Sequence, residues 1–70
     1  MNEQSGAKLT KDTVKIYIKQ GLTRNDLAKD IGVSTGTITV YENGLKPVPP
    51  DIQKLMETLV NADKANQKEQ

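Results

Sequence analysis

Residues 22–44 read LTRNDLAKDIGVSTGTITVYENG, and this stretch decides the fold. Its apolar residues recur at helical spacing in two short runs, one on each side of Gly32. Thr23 can cap the first run through a capping box with Asp26, and Ser34 can cap the second. The stretch therefore predicts two short helices that are joined by a tight turn.

The two predicted helices share an apolar inner side. Every position that should point inward is apolar, namely Leu27, Ile31, Val33, Ile38 and Tyr41. Ala28 falls where the helices cross closely, and a larger side chain would push them apart. The outer side of the second helix carries small, uncharged residues, with no Arg, Lys, Gln or Asn before Asn43.

A first helix is predicted over residues 11–20, with Thr10 as its N-cap and Gly21 just after its end. Three residues at helical spacing form its buried face, namely Val14, Tyr17 and Ile18. Ile16 fits this face poorly. Residues 13–19, TVKIYIK, also alternate as a strand does. A helix is preferred because a lone strand would have no partner elsewhere in the chain.

A fourth helix is predicted after the connector at residues 46–50, whose prolines favour an extended backbone. Pro50 suits its first turn, and Asp51 suits the positive end of its dipole. Residues at i, i+3, i+4, i+7 and i+8 assign one face to the core, namely Ile52, Leu55, Met56, Leu59 and Val60. Beyond Val60 the sequence is almost entirely polar, which is typical of a frayed helix extension or a disordered tail.

Composition limits the function of this 70-residue chain to that of one small domain. We divide it into a flexible segment at residues 1–8, a helical domain at residues 9–61 and a polar tail or helix extension at residues 62–70. The chain has no cysteine and no histidine, so we expect no metal site, no cofactor and no enzymatic activity. Residues 1–10 lack the apolar region of a signal peptide, and no apolar run approaches the roughly 20 residues of a membrane span, so we expect a cytoplasmic protein.

The net charge of +1 gives no strong electrostatic footprint for nucleic acid. The charges are nevertheless uneven, because residues 8–48 hold seven basic and four acidic side chains. Three of the lysines, Lys11, Lys15 and Lys19, lie at i, i+4 and i+8 and form one stripe if the first helix is real. This stripe is either a row that attracts phosphates or an ordinary solvated helix face.

In these features the chain resembles the Cro and phage-repressor family of helix-turn-helix proteins. The resemblance is carried by LTRNDLAKDIGVS, TITVYENG and the proline-containing loop, and it covers about residues 10–60. It implies an all-α, lambda-repressor-like domain of four or five helices with polar tails. It also implies a small phage-type or plasmid-type transcriptional regulator that binds double-stranded operator DNA. The recognition helix, at about residues 34–43, would then lie in the major groove.

The resemblance also implies roles for single residues. Arg24 matches a phosphate contact at the start of the second helix, where a helix N-terminus also favours anions. Asn43 matches a contact to the DNA backbone, and Lys46 matches a loop position near a phosphate or the minor groove. The groove-facing positions are Ser34, Thr35, Gly36, Thr37, Thr39 and Val40, of which Ser34 also serves as a helix cap.

Three features depart from the family pattern. Gly36 stands where relatives usually carry a long polar side chain. Tyr17 stands where many relatives have an arginine that pairs with the glutamate matching Glu42. Glu42 would then accept a hydrogen bond from Tyr17 or point to water. The polar sequence after Asn61 replaces a fifth helix that contributes to dimerisation in relatives.

Two further interpretations stay open from the sequence. An antirepressor or modulator would use the exposed STGTITV surface, residues 34–40, to bind a partner repressor protein, because interface cores are depleted of charge. Alternatively, the face of the fourth helix would form a homodimer interface, in which case Leu55, Met56 and Leu59 would not be core residues.

Overall fold

The computed structural model describes residues 6–68, with side chains to residue 65, and this part of the chain forms four α-helices. They are α1 (Gly6–Lys19), α2 (Arg24–Ile31), α3 (Thr35–Glu42) and α4 (Pro50–Lys68). The predicted all-α fold is confirmed, and residues 6–68 contain neither a strand nor a fifth helix. α1 lies at the centre and packs against the three other helices.

α1 begins at Gly6, earlier than predicted, so the assignment of Thr10 as its N-cap is wrong. Thr10 is fully buried, and its hydroxyl donates to the Gly6 carbonyl at 2.7 Å and lies 3.6 Å from the Met56 sulfur. A threonine inside a helix can satisfy its hydroxyl on the carbonyl four residues back. The flexible segment predicted at residues 1–8 therefore overlaps the first turn of α1, while residues 1–5 lie outside the described part.

The start of α1 packs closely against the loop that precedes α4. A Cβ atom on Gly6 would lie 2.6 Å from Cγ2 and 3.1 Å from Cβ of Val48. Val48 is buried and belongs to a core cluster with Tyr41 and Met56. A close-packed interior leaves no space for another methyl group here, so this contact requires glycine at residue 6.

The buried surface of α1 is wider than the predicted stripe. Val14 and Tyr17 are buried as expected, and they pack with Leu27, Ala28 and Ile38 in the main core cluster. Ile16, which fitted the stripe poorly, is buried at 9% exposure, whereas Ile18 is 52% exposed, so its assignment to the core is wrong. The reason is that α1 has neighbours on several sides, so its buried arc covers more than one stripe.

α2 and α3 form as the sequence predicts. Thr23 and Asp26 make the reciprocal capping box at the start of α2, and Gly32 ends that helix at a φ of 80°. A left-handed conformation of this kind favours glycine. Ser34 caps α3 by accepting a hydrogen bond from the Thr37 backbone. The turn between these helices is thereby fixed at both of its ends.

α4 begins at Pro50, as predicted, and continues to Lys68. The helix includes residues 62–68 of the predicted tail or helix extension, and residues 69–70 lie outside the described part. Met56 is fully buried, but Leu55 is 48% exposed, so its assignment to the core is wrong. α4 packs mainly against α1, and a single neighbour covers only a narrow face of a helix.

Candidate nucleic-acid interface

The exposed face of α3 and the loops around it form one shallow depression with a volume of about 630 Å³. Five of the predicted site residues line it, namely Ser34, Gly36, Thr37, Val40 and Lys46. The apolar part of its wall comes from Val33, Val40 and Tyr41. The structure therefore brings most of the predicted groove-facing residues onto one concave surface, with a lysine at its edge.

Polar side chains on α3 are largely engaged within the protein. The Thr35 hydroxyl donates to Asn25 Oδ1 at 2.9 Å, and the Thr39 hydroxyl donates to the Thr35 carbonyl at 3.5 Å. The Asn43 amide donates to the Thr39 carbonyl at 3.0 Å. These bonds leave the methyl groups of Thr35 and Thr39 as the uncommitted parts of two predicted base-contacting side chains.

Ser34 and Thr37 share a further hydrogen bond at the start of α3. Their hydroxyl oxygens lie 2.9 Å apart, and Ser34 Oγ also accepts from the Thr37 backbone at 3.2 Å. The contact uses one of the two hydroxyl protons. Ser34 therefore acts as the predicted helix cap, and the pair keeps one proton for another acceptor.

Gly36 lies in open space on this surface. A Cβ atom at this position would find Ser34 Oγ as its nearest contact, at 3.9 Å. The absence of a side chain is therefore not imposed by packing within the chain. It leaves backbone exposed on α3, where a ligand can approach closely.

Arg24 and Glu42 form a bidentate ion pair between the start of α2 and the end of α3. Arg24 Nε donates to Glu42 Oε1 at 2.9 Å, and Arg24 Nη2 donates to Glu42 Oε2 at 3.2 Å. The expectation that Glu42 bonds to Tyr17 or points to water is therefore wrong. Glu42 is therefore paired with an arginine of α2 and not with a residue of α1.

The charges of this pair depend on each other. The Arg24 cation lies at the positive end of α2 and the Glu42 carboxylate at the negative end of α3, so each opposes its own helix dipole. Hydrogen bonding to Glu42 raises the pKa of Arg24. The Glu42 side chain is only 12% exposed, which makes its pairing with Arg24 more important than that of a solvated carboxylate.

Tyr17 fixes α1 to α2 beneath this surface. Its hydroxyl donates to Asp30 Oδ2 at 2.6 Å. Burial, then the hydrogen bond to Asp30, raise the pKa of Tyr17 to about 12. The buried hydroxyl thus has a charged acceptor and stays protonated at neutral pH.

The lysine stripe lies away from the depression. Lys15 and Lys19 line a groove of about 380 Å³ between α1 and α4, whose lining contains no residue of α2 or α3. Lys19 Nζ lies 3.2 Å from Asp63 Oδ1 on α4. One lysine of the stripe thus joins α1 to α4 by an ion pair.

Two residues of this surface were missed from the sequence. Asn25 is exposed in the first turn of α2 and holds the Thr35 hydroxyl, so it lies next to the start of α3. Leu45 is 71% exposed in the loop that follows α3, three residues after its end. Asn25 could have been recognised from the sequence because it lies between the two capping-box residues of α2. Leu45 gives no such signal.

No three acidic side chains in residues 6–68 are grouped so that they could hold a metal ion. Among the described helices, none has a stretch long and apolar enough to cross a membrane.

A family model described as helix-turn-helix matches residues 15–59. The matched span includes all of α2 and α3, the turn between them and every residue that lines the depression. It covers well over half of the chain. Comparison with curated proteins and comparison with solved structures found no match.

Proposed function

Because the chain belongs to the helix-turn-helix family of the Cro and phage-repressor type, we propose that it is a small phage-type transcriptional regulator that binds operator DNA with α3 in the major groove. The concave surface on α3, with Lys46 beside it, carries this proposal. An α-helix with its side chains is about 10–12 Å in diameter, which fits the major groove of about 12 Å in width.

Contacts to the DNA backbone would come from residues on both sides of α3. Arg24 uses two of its five N–H donors on Glu42, which leaves three for a phosphate oxygen. Lys46 lies at the edge of the depression. Asn43 has its amide turned back onto α3, so its contact to DNA would use the second amide proton.

Two copies of the chain would read two half-sites. The two half-sites would lie about 34 Å apart, one turn of B-DNA, on the same side of the duplex. One copy presents one recognition helix. Side-by-side binding of two copies therefore supplies the length of sequence that a regulator needs, and a homodimer through exposed residues such as Leu55 would strengthen it.

A second candidate function is supported by the apolar character of the same surface. Val33 and Val40 line the depression, and Leu45 lies exposed nearby in sequence. A small, uncharged surface with apolar walls also suits protein packing. As an antirepressor, the protein would dock this surface on a partner repressor instead of DNA.

The proposal is tested with the purified chain and a duplex that covers the regulatory region adjacent to its own gene. We expect binding to a discrete site that weakens as salt rises, because phosphate contacts release counterions. Val40→Asp should abolish this binding by placing a carboxylate in the depression. Thr58→Asp is the matched control, because it adds the same charge on the exposed side of α4.

Circular dichroism of both variants verifies that they remain helical. Weak binding that is indifferent to sequence and to Val40→Asp would contradict the DNA-binding proposal. In that case the antirepressor function predicts that Val40→Asp abolishes a complex with a repressor protein.

A further inference from the structure

The hydrogen-bond arrangement on α3 limits how this surface can recognise a base. Thr35 and Thr39 donate their only hydroxyl protons to Asn25 and to a backbone carbonyl. Ser34 and Thr37 bond to each other. Arg, Lys, Asn and Gln, which contact guanine or adenine, are absent from residues 34–42, and Glu42 is paired with Arg24.

Apart from one hydroxyl proton of the Ser34–Thr37 pair, the same face has mainly methyl groups to offer. Thr35 and Thr39 are exposed and present a γ-methyl group each, and Val40 is half-buried on the wall of the depression. Gly36 adds open space beside them, since its nearest potential contact is 3.9 Å away. This combination of methyl groups and space fits a small apolar group that projects from the floor of a groove.

The major groove of DNA contains one such group, the C5-methyl of thymine. We infer that α3 recognises its half-site chiefly through thymine methyl groups, with Thr35, Thr39 and Val40 as the specificity-determining residues. This inference rests on the proposed function and adds the class of DNA sequence that the protein recognises. The preferred half-site has thymines at two or more positions under α3, and hydrogen-bond readout contributes little there.

Replacing thymine by uracil tests this inference because uracil differs only in lacking the methyl group. A duplex site is first selected from a random-sequence library with the full chain. Each thymine of the selected site is then replaced singly by uracil, and affinity is measured at one salt concentration. We expect about a fourfold loss for each contacted methyl group, the value for burying one methyl-sized group, and no change at thymines outside the half-sites.

Thr39→Ser tests the protein side of the same contact. It removes the γ-methyl group and keeps the hydroxyl that bonds to the carbonyl four residues back. Thr58→Ser is the matched control, because Thr58 on α4 bonds the Lys54 carbonyl in the same way at 3.0 Å. Thr39→Ser should weaken binding to the thymine duplex. Its effect should be smaller on the one uracil duplex that lacks the methyl group contacted by Thr39, and this identifies the coupled pair. Thr58→Ser should change neither.

The possible results distinguish the methyl readout from DNA binding itself. A selected site at which every uracil replacement leaves affinity unchanged would overturn the methyl readout and leave DNA binding intact. Failure to enrich any duplex would overturn both the readout and the proposed function. A loss at defined thymines that is coupled to Thr39→Ser would support both.

Discussion

Arg24 and Glu42 each lie at a helix end where the dipole disfavours their charge, and each compensates the other. The pair connects the start of α2 to the end of α3, so it constrains the position of these two helices relative to each other. Arg24 therefore has two roles in this account, a brace within the domain and a phosphate contact through its remaining donors. Sequence comparison alone assigned it only the second role.

Arg24→Ala should affect both stability and DNA binding. We expect a lower urea midpoint, because Glu42 is left mostly buried and unpaired, and Glu42→Gln in the same chain should restore part of the loss. DNA affinity should fall for every sequence, with a salt slope smaller by about 1 per copy. Arg24→Lys is the control, since it keeps the charge and loses the bidentate geometry. An unchanged salt slope would remove Arg24 from the phosphate contacts.

Two glycines at helix starts should respond to alanine in opposite directions. Gly6→Ala places a Cβ atom 2.6 Å from Val48, and overpacking of this kind costs about 1–3 kcal/mol. Gly36→Ala meets nothing closer than 3.9 Å and should stabilise by up to about 1 kcal/mol through helix propensity. Urea unfolding measures both. Val48→Ala should restore the stability that Gly6→Ala loses. Equal effects of the two glycine substitutions would show that the contact between residues 6 and 48 does not limit packing.

At the scale of elements, α2 and α3 were the most predictable because local chemistry determines them. Thr23, Asp26 and Ser34 satisfy their helix ends by short-range bonds that the sequence displays directly. The ends and faces of α1 and α4 depend instead on tertiary neighbours. Burial of Ile16 and exposure of Leu55 follow from which helices lie beside them, and periodicity along one helix contains no such information.

The hydrogen bond from Tyr17 to Asp30 joins α1 to α2 and should make stability sensitive to alkaline pH. The pKa of Tyr17 is about 12 in the fold and about 10 when unfolded, so the folded state favours the protonated form. Its contribution is complete below pH 10 and is lost as pH rises from 10 to 12. The stability difference between the native chain and Tyr17→Phe should therefore shrink over that range.

Urea unfolding at intervals from pH 9 to pH 12 measures this difference. Taking the difference between the two proteins removes the lysine titrations that they share. Parallel pH profiles for the two proteins would contradict the link between α1 and α2. Asp30→Asn keeps a hydrogen-bond acceptor for Tyr17 and removes the charge. Its stability should therefore depend on pH as that of the native chain does, but less strongly.

For the whole molecule, the fold was predictable and the pairing of charges was not. Four helices follow from caps, glycines and apolar spacing within 70 residues. The candidate surface on α3 was predicted as a set of residues, but its internal hydrogen bonds, the partner of Glu42 and the part played by Asn25 required the structure. These contacts join residues that are 10 and 18 positions apart in the chain, and no local pattern encodes them.

A net charge of +1 makes indiscriminate attraction to DNA weak, so productive binding has to come from the fit of one surface. The central claim is that this surface is the exposed face of α3. Backbone amide chemical shifts, recorded while the full chain is titrated with the selected duplex, test it most directly. We expect the largest changes at residues 24–25, 34–40 and 43–46. Changes confined to the groove between α1 and α4, or the absence of any change, would contradict it.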